Sequence, residues 1–213
     1  MGNTRDEGQE CNQLMDELTG IYNRQGFYES TERLLKQYPD IPFCLIYWNI
    51  RKFKVVNDLF GRESGDKVLI YLANTLKEEF GHETATYGRF ERDNFICCVP
   101  EEVINKGKWV RLGDISFDAE GSEYHFYSCC GLYKIIDREL TIANMIDRAR
   151  VAMETVKNNY LKPYAWYEES MWGSMVEEQK MNSSFRKAIA ENEFKVYYQP
   201  LCRASDGVIT GAE

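Results

Sequence analysis

The sequence predicts an α+β fold, a mixed and largely antiparallel central sheet flanked by helices. Three observations point there. "PFCLIYWNI" (42–50) is an almost unbroken apolar run, the mark of a central strand covered on both faces. Helical and strand periodicities alternate along the chain. "YGRFERDNFICCV" (87–99) reads as two short β runs joined by a tight turn, and a hairpin between the alternating elements argues against a doubly wound parallel sheet.

The elements follow in order. Asn23 is placed to cap a helix whose residues Phe27, Leu34 and Leu35 share one face, and which ends near Tyr38-Pro39. After the strand at 42–50, Val68, Leu69, Leu72, Leu76 and Phe80 recur at helical spacing, with Ser64 as candidate cap. The hairpin follows, then a polar, weakly patterned stretch (101–122). "HFYSCCGLYKI" (125–135) is a further strand, Ile142, Met145, Ile146, Ala149, Met153 and Val156 describe an amphipathic helix, and "YAWY" (164–167) is a short closing strand. The pattern then restarts after about residue 170. Met181, Phe185, Ala188 and Ile189 form the apolar side of a charged helix, and "FKVYYQP" (194–200) predicts a strand with little after it to cover it.

Composition bounds the function. The 213 residues are 44% hydrophobic and 14% aromatic, enough for one packed domain and part of another. A net charge of -8 argues against nucleic acid as a partner, while leaving room for a local basic pocket that takes one nucleotide. The seven cysteines are odd in number, and most sit in apolar strand-like runs without CxxC spacing, so they read as reduced core residues. No apolar run reaches the roughly 20 residues that span a bilayer, and no signal peptide opens the chain. A cytoplasmic location without membrane contact in this stretch is expected.

The hairpin turn poses a question. Its centre carries Glu91, Arg92 and Asp93, where positive φ favours Gly or Asn. "DELTGIYNRQGF" (16–27), "IYWNIRKFKVVNDLFGRESGDKVL" (46–69) and "GRFERDNF" (88–95) together resemble the three signatures of the GGDEF family of diguanylate cyclases. "MNSSFRKAIAENEFKVYYQPLCRASDGVITGAE" (181–213) resembles the opening of an EAL-type cyclic-di-GMP phosphodiesterase domain. These stretches imply an N-terminal linker (1–13), a GGDEF domain of the nucleotide-cyclase, ferredoxin-like type (14–168), a linker (169–180) and a truncated first part of an EAL domain (181–213).

Under this resemblance Glu91, Arg92, Asp93, Asn94 and Phe95 stand where the family carries Gly-Gly-Asp-Glu-Phe. A cyclase needs carboxylates to hold two Mg²⁺ ions and a backbone that the nucleotide can approach. Asn49 falls where the family has a metal-binding Asp, followed by Ile50, whose carbonyl also coordinates, so Asp93 is left as the acidic ligand. One unit charge at about 4 Å, in an effective dielectric of about 20, is worth on the order of 4 kcal/mol. The resemblance assigns Asn57 and Asp66 to guanine, and Lys54 and Lys157 to phosphate. The arginine often found four residues after the second lysine is Leu161 here. The family's inhibitory product site falls at His82 and Ala85, and so is absent. Glu213 matches the glutamate of the EAL motif. The bland readings remain open: solvated lysines, a helix-first-turn Asp66, and ordinary turn residues at Asn57-Asp58.

The expected function is a catalytically inactive, GTP-sensing module that regulates a downstream EAL phosphodiesterase in cyclic-di-GMP signalling, with Mg²⁺ as cofactor where nucleotide binds. GTP, the EAL domain of the same chain and a second copy of the chain are the partners this admits. Two rivals stay open: an active cyclase that condenses two GTP at an atypical metal site, and an interaction module that binds no nucleotide.

Overall fold

Strand β1 (Phe43–Ile50) is buried at all eight positions, as its continuous apolar run requires. Alternate side chains go to opposite faces. Ile46, Trp48 and Ile50 pack with Val68, Leu72, Leu76 and Phe80 on one face, while Phe43, Leu45 and Tyr47 pack with Phe27, Leu34, Met145 and Ala149 on the other. Full burial of a side chain such as Trp48 or Phe27 stabilises by about 2–3 kcal/mol.

The computed structural model describes residues 13–81, 83–105, 114–119 and 122–213, and the chain forms two compact units, Met1–Trp172 and Gly173–Glu213. In the first unit, α1 (Arg24–Gln37) precedes β1 and α2 (Phe53–Phe80) follows it. The hairpin is β2 (Thr86–Glu91) and β3 (Asn94–Pro100), followed by α3 (Glu101–Asn105), β4 (Asp114–Ala119), β5 (Ser122–Lys134), α4 (Ile142–Val156) and β6 (Tyr164–Trp166). The sheet order is β2-β3-β1-β5-β4, antiparallel throughout, and β6 joins β5 in parallel. The α+β class and the mixed, largely antiparallel sheet are therefore as expected.

Local signals account for the helix ends. Asn23 accepts a hydrogen bond from the Gly26 N–H at 3.0 Å, and Thr141 caps α4 by accepting from the Asn144 N–H at 3.2 Å. Ser64 is not a cap. Helical structure begins at Phe53 and is interrupted at Gly61, whose φ of 80° and ψ of 166° only glycine adopts readily, so Ser64 lies inside the second segment. The stretch 101–122, expected to be polar and weakly patterned, contains α3 and β4. The sequence of β4, DISFDA, does alternate apolar and polar residues, but over too few positions to stand out.

The adjacent cysteines mark the pleat. Cys97 and Cys130 face the α2 layer, while Cys98 and Cys129 face the α1/α4 layer, so neighbours in sequence lie on opposite sides of the sheet. Burial pushes the Cys44 thiol up to about 12 and the Cys129 thiol up to about 11, which keeps both protonated and inert. Cys11 lies outside the described residues.

Helix α5 (Glu169–Ala190) begins before the second unit and takes in the residues expected as a linker; within the second unit β7 (Pro200–Cys202) pairs with β8 (Ile209–Ala212). The strand predicted at 194–200 is displaced: residues 194–199 are not in a strand, Gln199 exchanges backbone hydrogen bonds with Glu213, and β7 begins at Pro200. Phe194, Val196, Tyr197 and Tyr198 are all exposed, so the apolar alternation that suggested a strand has no surface to pack on. Among the described residues, no helix is long and apolar enough to cross a membrane.

Candidate nucleotide site

The end of β1 and the β2–β3 turn lie side by side, because Asn49 pairs with Asn94 and Trp48 with Phe95 in register. Glu91 opposes Asn94, leaving Arg92 and Asp93 as a two-residue loop. Arg92 has a φ of 50°, the positive value that a tight hairpin demands and that costs a residue with a Cβ about 1–2 kcal/mol. The surroundings hold it there. Arg89 donates from Nε to the Arg92 carbonyl at 2.9 Å, and its Nη1 pairs with Asp16 at 3.1 Å. Asp16 also accepts from the Thr19 amide (2.9 Å) and hydroxyl (2.6 Å), tying the turn to the loop before α1. Burial opposes the Asp16 charge, but the Thr19 hydroxyl and Arg89 outweigh it and hold the carboxyl below its usual range. Arg24 reaches Glu91 at 2.8 Å, an exposed pair of little energetic weight.

Asn49, Asp93 and Asn94 form the corner where the resemblance places a metal. The Asn49 Nδ2 donates to Asp93 Oδ2 at 2.9 Å and to Asn94 Oδ1 at 2.8 Å. The orientation is determined by the acid: an ionised carboxylate only accepts, so the Asn49 atom facing it is the NH₂, and the Asn94 atom facing that NH₂ is then its oxygen. Asn49 is 7% exposed and turns hydrogens, not lone pairs, toward Asp93, whereas a hard divalent cation requires oxygen lone pairs. Burial is the largest influence on Asp93 and raises its carboxyl above the ordinary range, opposed by its own backbone N–H, Asn49, Lys157 and Arg92. Ile50 also lines the cavity, and its N–H reaches the Asp93 carbonyl at 3.4 Å.

A cavity of about 1180 Å³ opens beside this corner and brings together Asn49, Ile50, Lys54, Asn57, Asp66, Glu91, Arg92, Asp93, Asn94 and Lys157. Phe95 is instead fully buried in the core. The break at Gly61 lets Asn57, on the first segment of α2, and Asp66, on the second, line the same space. Gly65 makes the close approach: a Cβ there would sit 1.9 Å from Asn57 Oδ1. Lys157 pairs with Glu154 at 3.1 Å, both partly exposed. Leu161 is 94% exposed, and His82 lies outside the described residues. Glu213 belongs to the second unit, where its backbone exchanges two hydrogen bonds with Gln199, each 2.9 Å. Among the described residues no group of three or more His, Cys, Asp or Glu is arranged to hold a metal.

Sequence reasoning missed Arg51. This buried side chain donates to the carbonyls of Ser128 (3.3 Å), Lys157 (3.0 Å), Asn159 (2.9 Å) and Lys162 (3.0 Å), and lies 4.8 Å from the Tyr160 ring centroid. It fastens the end of β1 to the loop that carries Lys157. The signal was an arginine directly after an unbroken apolar strand, a place where a charge is kept only with partners. Arg62 and Arg150, which also line the cavity, were missed because isolated surface arginines are common.

Comparison with known proteins agrees with this architecture. The family model described as "Diguanylate cyclase, GGDEF domain" matches residues 13–161. The uncharacterized protein y4lL of Sinorhizobium fredii is 28% identical over 207 residues, covering 93% of this chain and 25% of that protein. The bifunctional diguanylate cyclase/cyclic di-GMP phosphodiesterase MucR of Pseudomonas aeruginosa is 24% identical over 207 residues, 94% of this chain and 30% of its own length. The chain thus spans less than a third of these relatives. The isolated GGDEF domain of TpbB (YfiN) from Pseudomonas aeruginosa superposes with a TM-score of 0.65 at 20% identity, over 76% of this chain and 99% of that one. The fold, the sheet order around the hairpin and the family match over residues 13–161 agree: the chain belongs to the GGDEF domain family of diguanylate cyclases.

Proposed function

We propose that this is a degenerate GGDEF domain that binds a guanine nucleotide without converting it, and that residues 181–213 open an EAL phosphodiesterase domain under its control. The observation that carries the reading is the Asn49 amide, which donates to Asp93 and Asn94 and so sets a neutral amide where the family's carboxylate would stand. Arg92 and Glu91 add side chains to the cavity where glycines would leave room for the nucleotide. Asn57 and Asp66 offer the amide and carboxylate that suit a base with adjacent acceptor and donor edges, with Lys54 and Lys157 on the same cavity for phosphate. For the EAL assignment, the support is that the match to MucR runs over 207 residues, past the family model's end at 161, and that Phe194, Val196 and Tyr198 stand exposed as if awaiting a larger core.

Incubation with GTP and Mg²⁺ or Mn²⁺, followed by chromatography, is expected to give no cyclic-di-GMP. Turnover that is abolished by Asp93→Ala would restore the cyclase reading. Thermal-shift titration is expected to show stabilisation by GTP and much less by ATP. Asn57→Ala or Asp66→Ala each weakens GTP by roughly one to two decades, the loss of about 1–3 kcal/mol of base hydrogen bonding. Equal shifts with GTP and ATP would overturn the guanine reading, and no shift with either would favour the nucleotide-free interaction module.

A further inference from the structure

We infer that the cavity takes its guanosine triphosphate without Mg²⁺, the basic side chains around it neutralising the phosphates in the metal's stead. This rests on the nucleotide-binding reading above. The first ground is the Asn49 corner. For a cation to enter, Asn49 would have to break bonds of 2.9 and 2.8 Å and turn its carbonyl inward, in a nearly buried position. Its amide already supplies the positive hydrogens that Asp93 requires.

The second ground is independent and lies in the charge balance. Basic residues lining the cavity outnumber acidic ones seven to four. Of the four acids, Glu91 is engaged by Arg24, Glu154 by Lys157 and Asp93 by Asn49, which leaves Asp66; of the seven bases, Arg89 is engaged by Asp16, Arg150 by Asp147 and Lys157 by Glu154. Lys54 and Arg62 have no acidic partner among the described residues, and Arg92 projects from the turn beside Asp93. In a chain of net charge -8, a cavity lined by seven basic and four acidic residues presents a local field favouring a polyanion. Free GTP carries more negative charge than its Mg²⁺ complex, so such a field prefers the free nucleotide, and guanidinium groups bind phosphate oxygens in a bidentate manner.

Calorimetric titration of the whole chain with GTP in EDTA and in Mg²⁺ tests the inference, with tripolyphosphate in EDTA as a third arm. The expected result is an affinity in EDTA equal to or tighter than in Mg²⁺, falling as salt is raised. Tripolyphosphate should bind in EDTA more weakly than GTP. Arg62→Gln, on an exposed helical position, should weaken both anions in EDTA by about tenfold, the order expected for losing one charge-assisted contact. Asn49→Asp should reverse the preference, so that Mg²⁺ tightens GTP by about tenfold or more. Circular dichroism is the check that this variant is folded, and the wild-type comparison does not depend on it. Wild-type binding about tenfold tighter in Mg²⁺ than in EDTA would overturn the metal-free inference and leave the nucleotide reading standing. No binding of GTP in either buffer overturns both.

Discussion

Replacing Arg51 is expected to damage both the fold and the cavity, although Arg51 does not line the cavity. Its guanidinium donates four hydrogen bonds of 2.9 to 3.3 Å to carbonyls of Ser128, Lys157, Asn159 and Lys162. A hydrogen bond to a charged group contributes about 1.5–3 kcal/mol, so four would total roughly 6–12 if they were independent. They are not: one desolvated cation serves all four, and the three loop carbonyls are near enough to the surface to recruit water once it is gone. Arg51→Met, which keeps the apolar stem, should therefore cost about 3–5 kcal/mol, the range for losing one member of a buried charged network. At about 2–4 °C per kcal/mol for a chain of this size, the thermal midpoint should fall by roughly 6–20 °C. Arg51→Lys should recover less than half, because a point-like ammonium does not span carbonyls on both sides of a fork. GTP affinity should fall by about tenfold in Arg51→Met as the Lys157 backbone is released, measured by calorimetry below the new midpoint. A midpoint within about 2 °C of wild type would refute the idea that this arginine fastens the loop.

Other outcomes follow from the same structure. Asp16 is held below its usual 3.8, so its contribution is present above that pH and is lost as pH falls through the lowered value; Asp16→Asn should cost about 1–3 kcal/mol at pH 7 and little in acid, as urea unfolding at several pH values would show. Asp93 is raised from 3.8, so the folded state binds this proton more tightly than the unfolded chain and loses stability as pH rises from 3.8 through the raised value; Asp93→Asn should gain stability at pH 7 relative to wild type, with the gain vanishing in acid. Gly65→Ala should push Asn57 out of the cavity, since its Cβ would stand 1.9 Å from Asn57 Oδ1; GTP binding should then approach the ATP level in thermal-shift titration, while the unliganded midpoint changes less than in Arg51→Met. In the second unit, amides at 194–198 should exchange with solvent far faster than those of β1, as exposed apolar residues outside any strand imply.

Much of the fold was legible because burial writes itself into hydrophobic period. The eight buried positions of β1, the Asn23 cap and the helix at Ile142–Val156 all repeat local patterns that no distant residue has to complete. The strand at 194–200 failed for the complementary reason: its alternation specifies a face, but the second unit offers nothing to cover it. β4 was missed because six alternating residues in a polar stretch carry little signal until β5 pairs with them.

The candidate site divides along the same line. Residue types at family positions could be read from the chain, yet the role of Asn49 could not, because it depends on what faces it. Read alone, Asn for Asp is the loss of a charge. Beside Asp93 and Asn94 it becomes a donor bridging two acceptors, at 2.9 and 2.8 Å, contributed by a turn 44 and 45 residues away. The charged turn has the same character. Glu91 and Arg92 look like obstruction when compared with Gly-Gly, but Arg92 adopts positive φ nonetheless, because Arg89 bonds its carbonyl and is itself held by Asp16, 73 residues earlier. The strain of that backbone is offset by a contact that only the folded chain makes. A turn freed from admitting a substrate backbone-first can be stabilised by side-chain charge, and that charge, once present, faces the cavity. Under the proposed reading, Arg92 adds a cation to the cavity and Glu91 an acid already paired with Arg24, so the same turn that would obstruct cyclisation would still favour a polyanion.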